Sequence, residues 1–60
     1  MSVTVIFENK PPREFPNGAT VLQRGEGVAV FAKDGKEIAA LPGPVVGVRI
    51  DGQDIDWPPN

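Results

Sequence analysis

Apolar side chains recur at every second position in several short stretches of this chain, which is the spacing of β-strands that bury one face. Val3, Val5 and Phe7 share one face of the first stretch, whereas Thr4, Ile6 and Glu8 share the other. Glycine and proline interrupt the pattern at short intervals, so no segment between them is long enough for a stable helix. The pattern therefore predicts strands joined by tight turns.

The predicted fold class is all-β, in the form of a small antiparallel β-meander. It would form a curled sheet, or a small barrel or sandwich, of about five to six short strands. We expect residues 1–60 to form a single β-domain, with residues 53–60 as a C-terminal tail that is ordered only if Ile55 and Trp57 find a surface to cover. The predicted strands are Val3 to Glu8, Arg13 to Phe15, Thr20 to Gln23, Val28 to Ala32, Lys36 to Leu41 and Val45 to Ile50.

Asp34-Gly35 marks a hairpin, because glycine adopts positive φ at little cost and aspartate tolerates it. A two-residue loop would place Val28 opposite Leu41, but it would also oppose Lys33 and Lys36. A three-residue loop over 33–35 would instead place Val30 opposite Ile38 and Val28 opposite Ala40. We prefer the second register, because it gives one consistent apolar face.

The alternation divides the apolar residues into a core and a second apolar face. We expect Trp57 either to cover part of the second face, within the chain or across a dimer, or to anchor another chain, and we favour the cover. The predicted core is Val3, Val5, Phe7, Phe15, Val21, Val28, Val30, Ile38, Ala40, Val46, Val48 and Ile50. The predicted interface on the second face is Ile6, Leu22, Phe31, Leu41, Val45 and Trp57.

Size favours association, because a 60-residue domain buries only about 60% of the surface that its unfolded chain exposes. The chain contains no cysteine and no histidine, so disulfides are excluded and most metal sites are disfavoured as sources of extra stability. Oligomerisation or an unusually regular sheet remains, and we expect a homo-oligomer, either a dimer or a larger assembly. A second way to hide both faces is a strongly twisted sheet that closes into a small barrel within one chain.

Net charge is −2, and the six lysines and arginines are dispersed among eight acids. Nucleic acid is therefore a poor partner, since phosphate binding rests on several convergent cations. The first residues carry no basic leader, and their apolar run stops at Glu8, so we expect neither a signal peptide nor a membrane span. The expected location is the cytoplasm.

The side-chain chemistry excludes the common nucleophile-base pairs, because histidine, cysteine and tyrosine are missing and Ser2 is the single serine. The acids Asp51, Asp54 and Asp56 fail the pattern of a calcium loop, which needs a glycine at its sixth position and a closing glutamate. We expect a turn at Asp51-Gly52 followed by solvated acids. The sequence therefore predicts no enzymatic activity, no metal and no cofactor.

The order VTVIFEN, REFPNGATV and GVAVFAKDGKEIAAL resembles small acidic β-rich proteins of actinobacteria and their phages. The resemblance implies a free-standing cytoplasmic accessory protein, phage-encoded in some cases and without an established activity. It carries over no catalytic or binding residue. Where the gene belongs to a phage, the expected location is the host cytoplasm.

Two functions follow as expectations. The favoured one is a non-enzymatic protein-interaction module that self-associates and binds a host or viral protein. The alternative is an acidic nucleic-acid mimic, or a small barrel acting at a nucleic-acid-binding site. The acids that would imitate phosphates are Glu26, Glu37, Asp51, Asp54 and Asp56.

Overall fold

The chain forms seven short β-strands in a computed structural model that describes residues 1–58. No helix occurs within these residues, so the all-β prediction is confirmed. The strands are β1 (Val3–Phe7), β2 (Arg13–Phe15), β3 (Gly18–Arg24), β4 (Gly27–Ala32), β5 (Glu37–Leu41), β6 (Val45–Ile50) and β7 (Gln53–Asp54).

The strands form two antiparallel sheets. β3, β4 and β5 make a three-stranded meander, because each pairs with the next strand in sequence. The other sheet has the order β2-β1-β6-β7, in which β1 pairs with β6 from the far end of the chain. Of the architectures left open by the sequence, the structure is a small sandwich. One sheet is a meander of consecutive strands, and the other depends on the pairing of β1 with β6, which are far apart in sequence.

One hydrophobic core lies between the sheets and contains residues from both. Within β1, buried side chains alternate with half-buried ones, as expected for a strand with one buried face, whereas β4 is buried at every position from Gly27 to Val30. The fully buried side chains with the largest volumes are all valines, which suits the preference of β-branched residues for pleated surfaces. The buried core comprises Val3, Val5, Phe7, Phe15, Val28, Val30, Leu41 and Val48.

Three β-bulges interrupt the sheets, and each inserts one unpaired residue. The inserted residues are Ala19 in β3, Ile38 in β5 and Val46 in β6, since the pairing partners skip these positions. A bulge moves the residues beyond it by one position and so changes which side chains face the core. Ile38 and Val46, which the alternation predicts as core, are therefore exposed.

The bulge at Ile38 also explains the register of the central hairpin. The three-residue loop over 33–35 is confirmed: the Ala32 N–H donates to the Lys36 carbonyl over 2.8 Å, and Gly35 has a φ of 90°. Beyond the loop, however, the extra residue places Val28 opposite Leu41 and Ala29 opposite Ala40. The predicted pairs Val30–Ile38 and Val28–Ala40 are therefore wrong.

The same shift exchanges two residues between the faces of β5. Leu41 is buried in the core, so its predicted place on the second face is wrong. Ala40 is exposed instead of buried. Ala29 is fully buried, although its position between Val28 and Val30 places it on the face of β4 that points away from the core.

The two sheets meet closely where Pro42-Gly43-Pro44 carries the chain from β5 to β6. The Val45 N–H donates to the Glu26 carbonyl over 3.1 Å, which ties this crossing to the β3–β4 turn. A side chain at Gly43 would overlap the backbone of Glu26, and one at Gly27 would overlap the carbonyl of Leu41. Glycine is required at both positions because backbone approaches backbone there.

The segment after β6 turns back onto the molecule. Asp51 and Gly52 both have positive φ, as the predicted turn requires, and β7 pairs with β6. The Ile55 N–H donates to the Val48 carbonyl over 3.0 Å, and Ile55 and Trp57 pack against the core. Residues 53–58 of the expected tail thus lie against the sandwich, and Pro59 and Asn60 lie outside the described residues.

Candidate interaction surfaces

The six predicted interface residues do not share one surface. Leu41 belongs to the core, and Val45 and Trp57 are half-buried against it. Trp57 therefore packs against its own chain, but it does so at the core and not on the second apolar face that it was expected to cover.

Ile6 lies on the outer face of the β2-β1-β6-β7 sheet, where its side chain contacts the backbone position of Gly47. A Cβ built on Gly47 would stand 3.6 Å from the Ile6 Cδ1, which is ordinary van der Waals contact. The surroundings are polar, because Thr4 and Arg49 are paired on the same face. Ile6 thus belongs to a different sheet from Leu22 and Phe31.

Leu22 and Phe31 share the outer face of the β3–β4–β5 sheet, which we call the β4 face. Leu22 is opposite Ala29, and Ala29 is opposite Ala40, so the three side chains form one row across the sheet. Leu22 is 55% exposed and Phe31 is half-buried. The β4 face comprises Thr20, Leu22, Arg24, Ala29, Phe31, Glu37 and Ala40.

One ion pair crosses the β4 face. The Arg24 Nη2 lies 2.9 Å from the Glu37 Oε1, although the two residues belong to strands on opposite sides of β4. The register places this crossing over Ala29, whose small side chain leaves room for the pair and is fully buried. The β4 face thus carries an apolar row beside one cation and one anion.

A groove of about 390 Å³ lies at another part of the surface, and we call it the Phe7 groove. Its apolar wall consists of a phenylalanine, three prolines and a leucine: Phe7, Pro11, Pro12, Pro42 and Leu41. Lys10 and Arg13 line it as well, and no acidic residue does. The volume falls within the range of about 300–1,000 Å³ that is typical of ligand pockets.

Both cations of the Phe7 groove stand near aromatic rings. The Lys10 Nζ is 5.9 Å from the centre of the Phe7 ring, and the Arg13 Cζ is 5.3 Å from that of Phe15. These are cation–π distances, which restrict the two side chains. Neither cation forms an ion pair within residues 1–58.

The sequence pattern does not predict this groove, because the cations are dispersed along the chain and Pro11-Pro12 has the position of a break between two strands. The available signal was local: Lys10 and Arg13 flank the two prolines directly. Pro42 and Leu41, by contrast, join the groove through tertiary packing. The sequence pattern does not predict that contact.

Three of the five acids considered as phosphate imitators are engaged with cations or backbone donors. Glu37 pairs with Arg24, and the Asp54 Oδ1 lies 2.7 Å from the Arg49 Nε. The Asp51 Oδ1 accepts the Ser2 N–H over 2.8 Å and lies 3.9 Å from the N-terminal amine. This arrangement reduces the negative field that a nucleic-acid mimic needs.

The described part of the chain contains no group of three or more acidic, histidine or cysteine side chains placed to hold a metal ion. Residues 1–58 likewise include no helix that is long and apolar enough to cross a membrane. The chain is thus a small all-β protein of two packed antiparallel sheets, and its surface offers two candidate binding sites, the β4 face and the Phe7 groove. Comparison with family models, curated proteins and solved structures finds no match to this chain.

Proposed function

We propose that this chain is a non-enzymatic protein-interaction module that forms a homo-oligomer, at its simplest a dimer, through the β4 face. The observation that carries the proposal is the exposure of Leu22 on the face that also holds Phe31, Ala40 and the Arg24–Glu37 ion pair. An exposed apolar group rimmed by charges is typical of protein-binding surfaces.

Charge complementarity favours a second copy as the occupant. In a two-fold symmetric contact, each surface patch meets its own copy, so residue i contacts residue j and residue j contacts residue i. The β4 face carries one cation and one anion, which lie on either side of its apolar row. Arg24 of each copy can then pair with Glu37 of the other, while Leu22 and Phe31 are covered.

The proposal places the protein in the cytoplasm, or in the host cytoplasm where the gene is phage-encoded. A host or viral protein is the further partner that the resemblance to phage and actinobacterial accessory proteins suggests. The alternative function, an acidic nucleic-acid mimic, is less well supported because three of its five acids are engaged with cations or backbone donors. A small barrel acting at a nucleic-acid-binding site would need several convergent cations, and the Phe7 groove holds two.

Light scattering of the native chain beside Leu22→Asp tests the dimer. Val46→Asp is the matched control, because Val46 is 53% exposed and lies on the other sheet. We expect the native chain and Val46→Asp to have the mass of a dimer, and Leu22→Asp to be a folded monomer by circular dichroism. A native chain that stays monomeric at millimolar concentration, or a Leu22→Asp variant as dimeric as the native chain, would refute the proposal.

A further inference from the structure

We infer that the Phe7 groove is a second binding site, separate from the β4 face, and that it takes an acidic peptide segment of another protein with an aromatic side chain between its carboxylates. The inference goes beyond the proposed dimer, since it concerns different residues and a different partner.

The wall of the groove determines the apolar part of the ligand. Pro11, Pro12 and Pro42 offer exposed ring surfaces, and the edges of Phe7 and Leu41, which are otherwise buried in the core, complete the wall. A flat aromatic side chain covers such a wall with the loss of few rotatable bonds. A cavity of about 390 Å³ holds one side chain of this kind together with the adjoining backbone.

The two cations determine the charged part of the ligand. Lys10 and Arg13 line the groove, and no acidic residue stands in its wall to pair with them or to repel a carboxylate at contact distance. They are not paired with any carboxylate in residues 1–58, which leaves their donors available. Arginine also presents a planar fork that matches a carboxylate, and lysine supplies a point charge.

The groove is also rigid before the ligand arrives. Each proline fixes its own φ, and proline loses no side-chain rotamer freedom on burial. The Lys10 Nζ stands 5.9 Å from the centre of the Phe7 ring, which is part of the groove wall, and the Arg13 Cζ stands 5.3 Å from that of Phe15, which is not. A preformed site reduces the ordering cost of binding.

The balance of apolar and charged groups favours a peptide over a nucleic acid. A single strand of nucleic acid carries one charge per nucleotide, and its binding needs a basic track with several aromatic platforms. The groove offers two cations beside a mainly apolar wall. An acidic peptide with one aromatic group satisfies both parts of the site.

The test measures the binding of a synthetic pentapeptide, blocked at both ends, that has tryptophan between two pairs of glutamates. A dye carried by the N-terminal blocking group reports binding through its fluorescence anisotropy, and the native 60-residue chain is the receptor. Three comparison ligands complete the set: the same peptide with glutamines, the same peptide with a central glycine, and an eight-nucleotide single strand of DNA.

Lys10→Glu and Arg13→Glu are the test variants, and Lys33→Glu is the matched control. Lys33 is an exposed cation of the 33–35 loop that also forms no ion pair within the described residues. Circular dichroism shows whether each variant is folded. Leu22→Asp serves as a second control, because it alters the β4 face and leaves the groove residues unchanged.

We expect saturable binding of the acidic tryptophan peptide, weakened about tenfold or more by Lys10→Glu or Arg13→Glu and within about twofold of native for Lys33→Glu and Leu22→Asp. The glutamine and glycine peptides should each bind at least about tenfold more weakly, since each lacks one of the two recognised parts. The inference is overturned if the acidic peptide fails to bind, if Lys33→Glu weakens binding as much as the groove variants, or if the DNA strand binds more tightly than the peptide.

Discussion

Valines on one strand differ sharply in their surroundings. Val46 and Val48 are two positions apart on β6, and strict alternation places both on the buried face. The bulge at Val46 breaks that alternation, so Val48 is 1% exposed and Val46 is 53% exposed. The identity of the side chain is the same, and the backbone irregularity alone decides which of the two is in the core.

The two valines give a matched prediction. Val48→Ala removes two methyl groups from a filled core and should lower the free energy of unfolding by about 2 kcal/mol. Val46→Ala removes the same groups from the surface and should change it by less than about 0.5 kcal/mol. Urea unfolding followed by circular dichroism measures both values. Equal losses would contradict the bulge at Val46.

Turns and bulges are the elements that set the registers of this fold. The 33–35 loop depends on Gly35, whose φ of 90° suits glycine and strains other residues. The Asp34 Oδ1 accepts the Lys36 N–H over 3.0 Å and supports the same turn. Loop and bulge together determine that Leu41 faces the core.

Substitution at Gly35 tests the loop. Gly35→Ala should lower the free energy of unfolding by about 1–2 kcal/mol, because alanine disfavours positive φ. Gly35→Asn should lower the free energy of unfolding by less than Gly35→Ala does, since asparagine tolerates positive φ better than alanine. Gly47→Ala is the control, because a Cβ there meets ordinary contact distances and Gly47 has no positive φ. Thermal unfolding ranks the three variants, and a Gly35→Ala variant as stable as Gly47→Ala would be inconsistent with the loop geometry.

The elements show how far the sequence predicts the structure. Although β7 lies in the segment expected to be a tail, the other six strands and the turns at 34–35 and 51–52 follow from alternation and from the backbone preferences of glycine. The bulges do not, because an inserted residue such as Ile38 has the same apolar side chain as a paired one. The sequence also does not predict the pairing of β1 with β6, since the residue pattern of neither segment specifies which strand it pairs with.

The surfaces follow the same division. Alternation within β3 and β4 predicts that Leu22 and Phe31 point away from the core, and neither belongs to the core cluster. Leu41 was misplaced because a bulge precedes it. The Phe7 groove joins Lys10–Arg13 to Leu41 and Pro42, which are distant in sequence, so only the folded chain brings its two sides together.

At the scale of the whole molecule, the sandwich buries most of the large apolar side chains, although a 60-residue domain has little interior. The two sheets bury one shared core, and Ile55 and Trp57 cover part of its edge. What the single chain leaves uncovered includes Leu22 on the β4 face. The central claim is that a second copy covers this face by a two-fold contact, in which Arg24 and Glu37 exchange partners.

Light scattering of charge-reversal variants tests this claim most directly. Arg24→Glu gives a face with two acids, and Glu37→Arg gives a face with two cations, so a two-fold dimer of either variant opposes like charges. Loss of the exposed pair within one chain costs about 0–1 kcal/mol, so both variants should stay folded. We expect each variant alone to have the mass of a monomer, and their equimolar mixture to have the mass of a dimer. A mixture that stays monomeric, or single variants that are as dimeric as the native chain, would contradict the account.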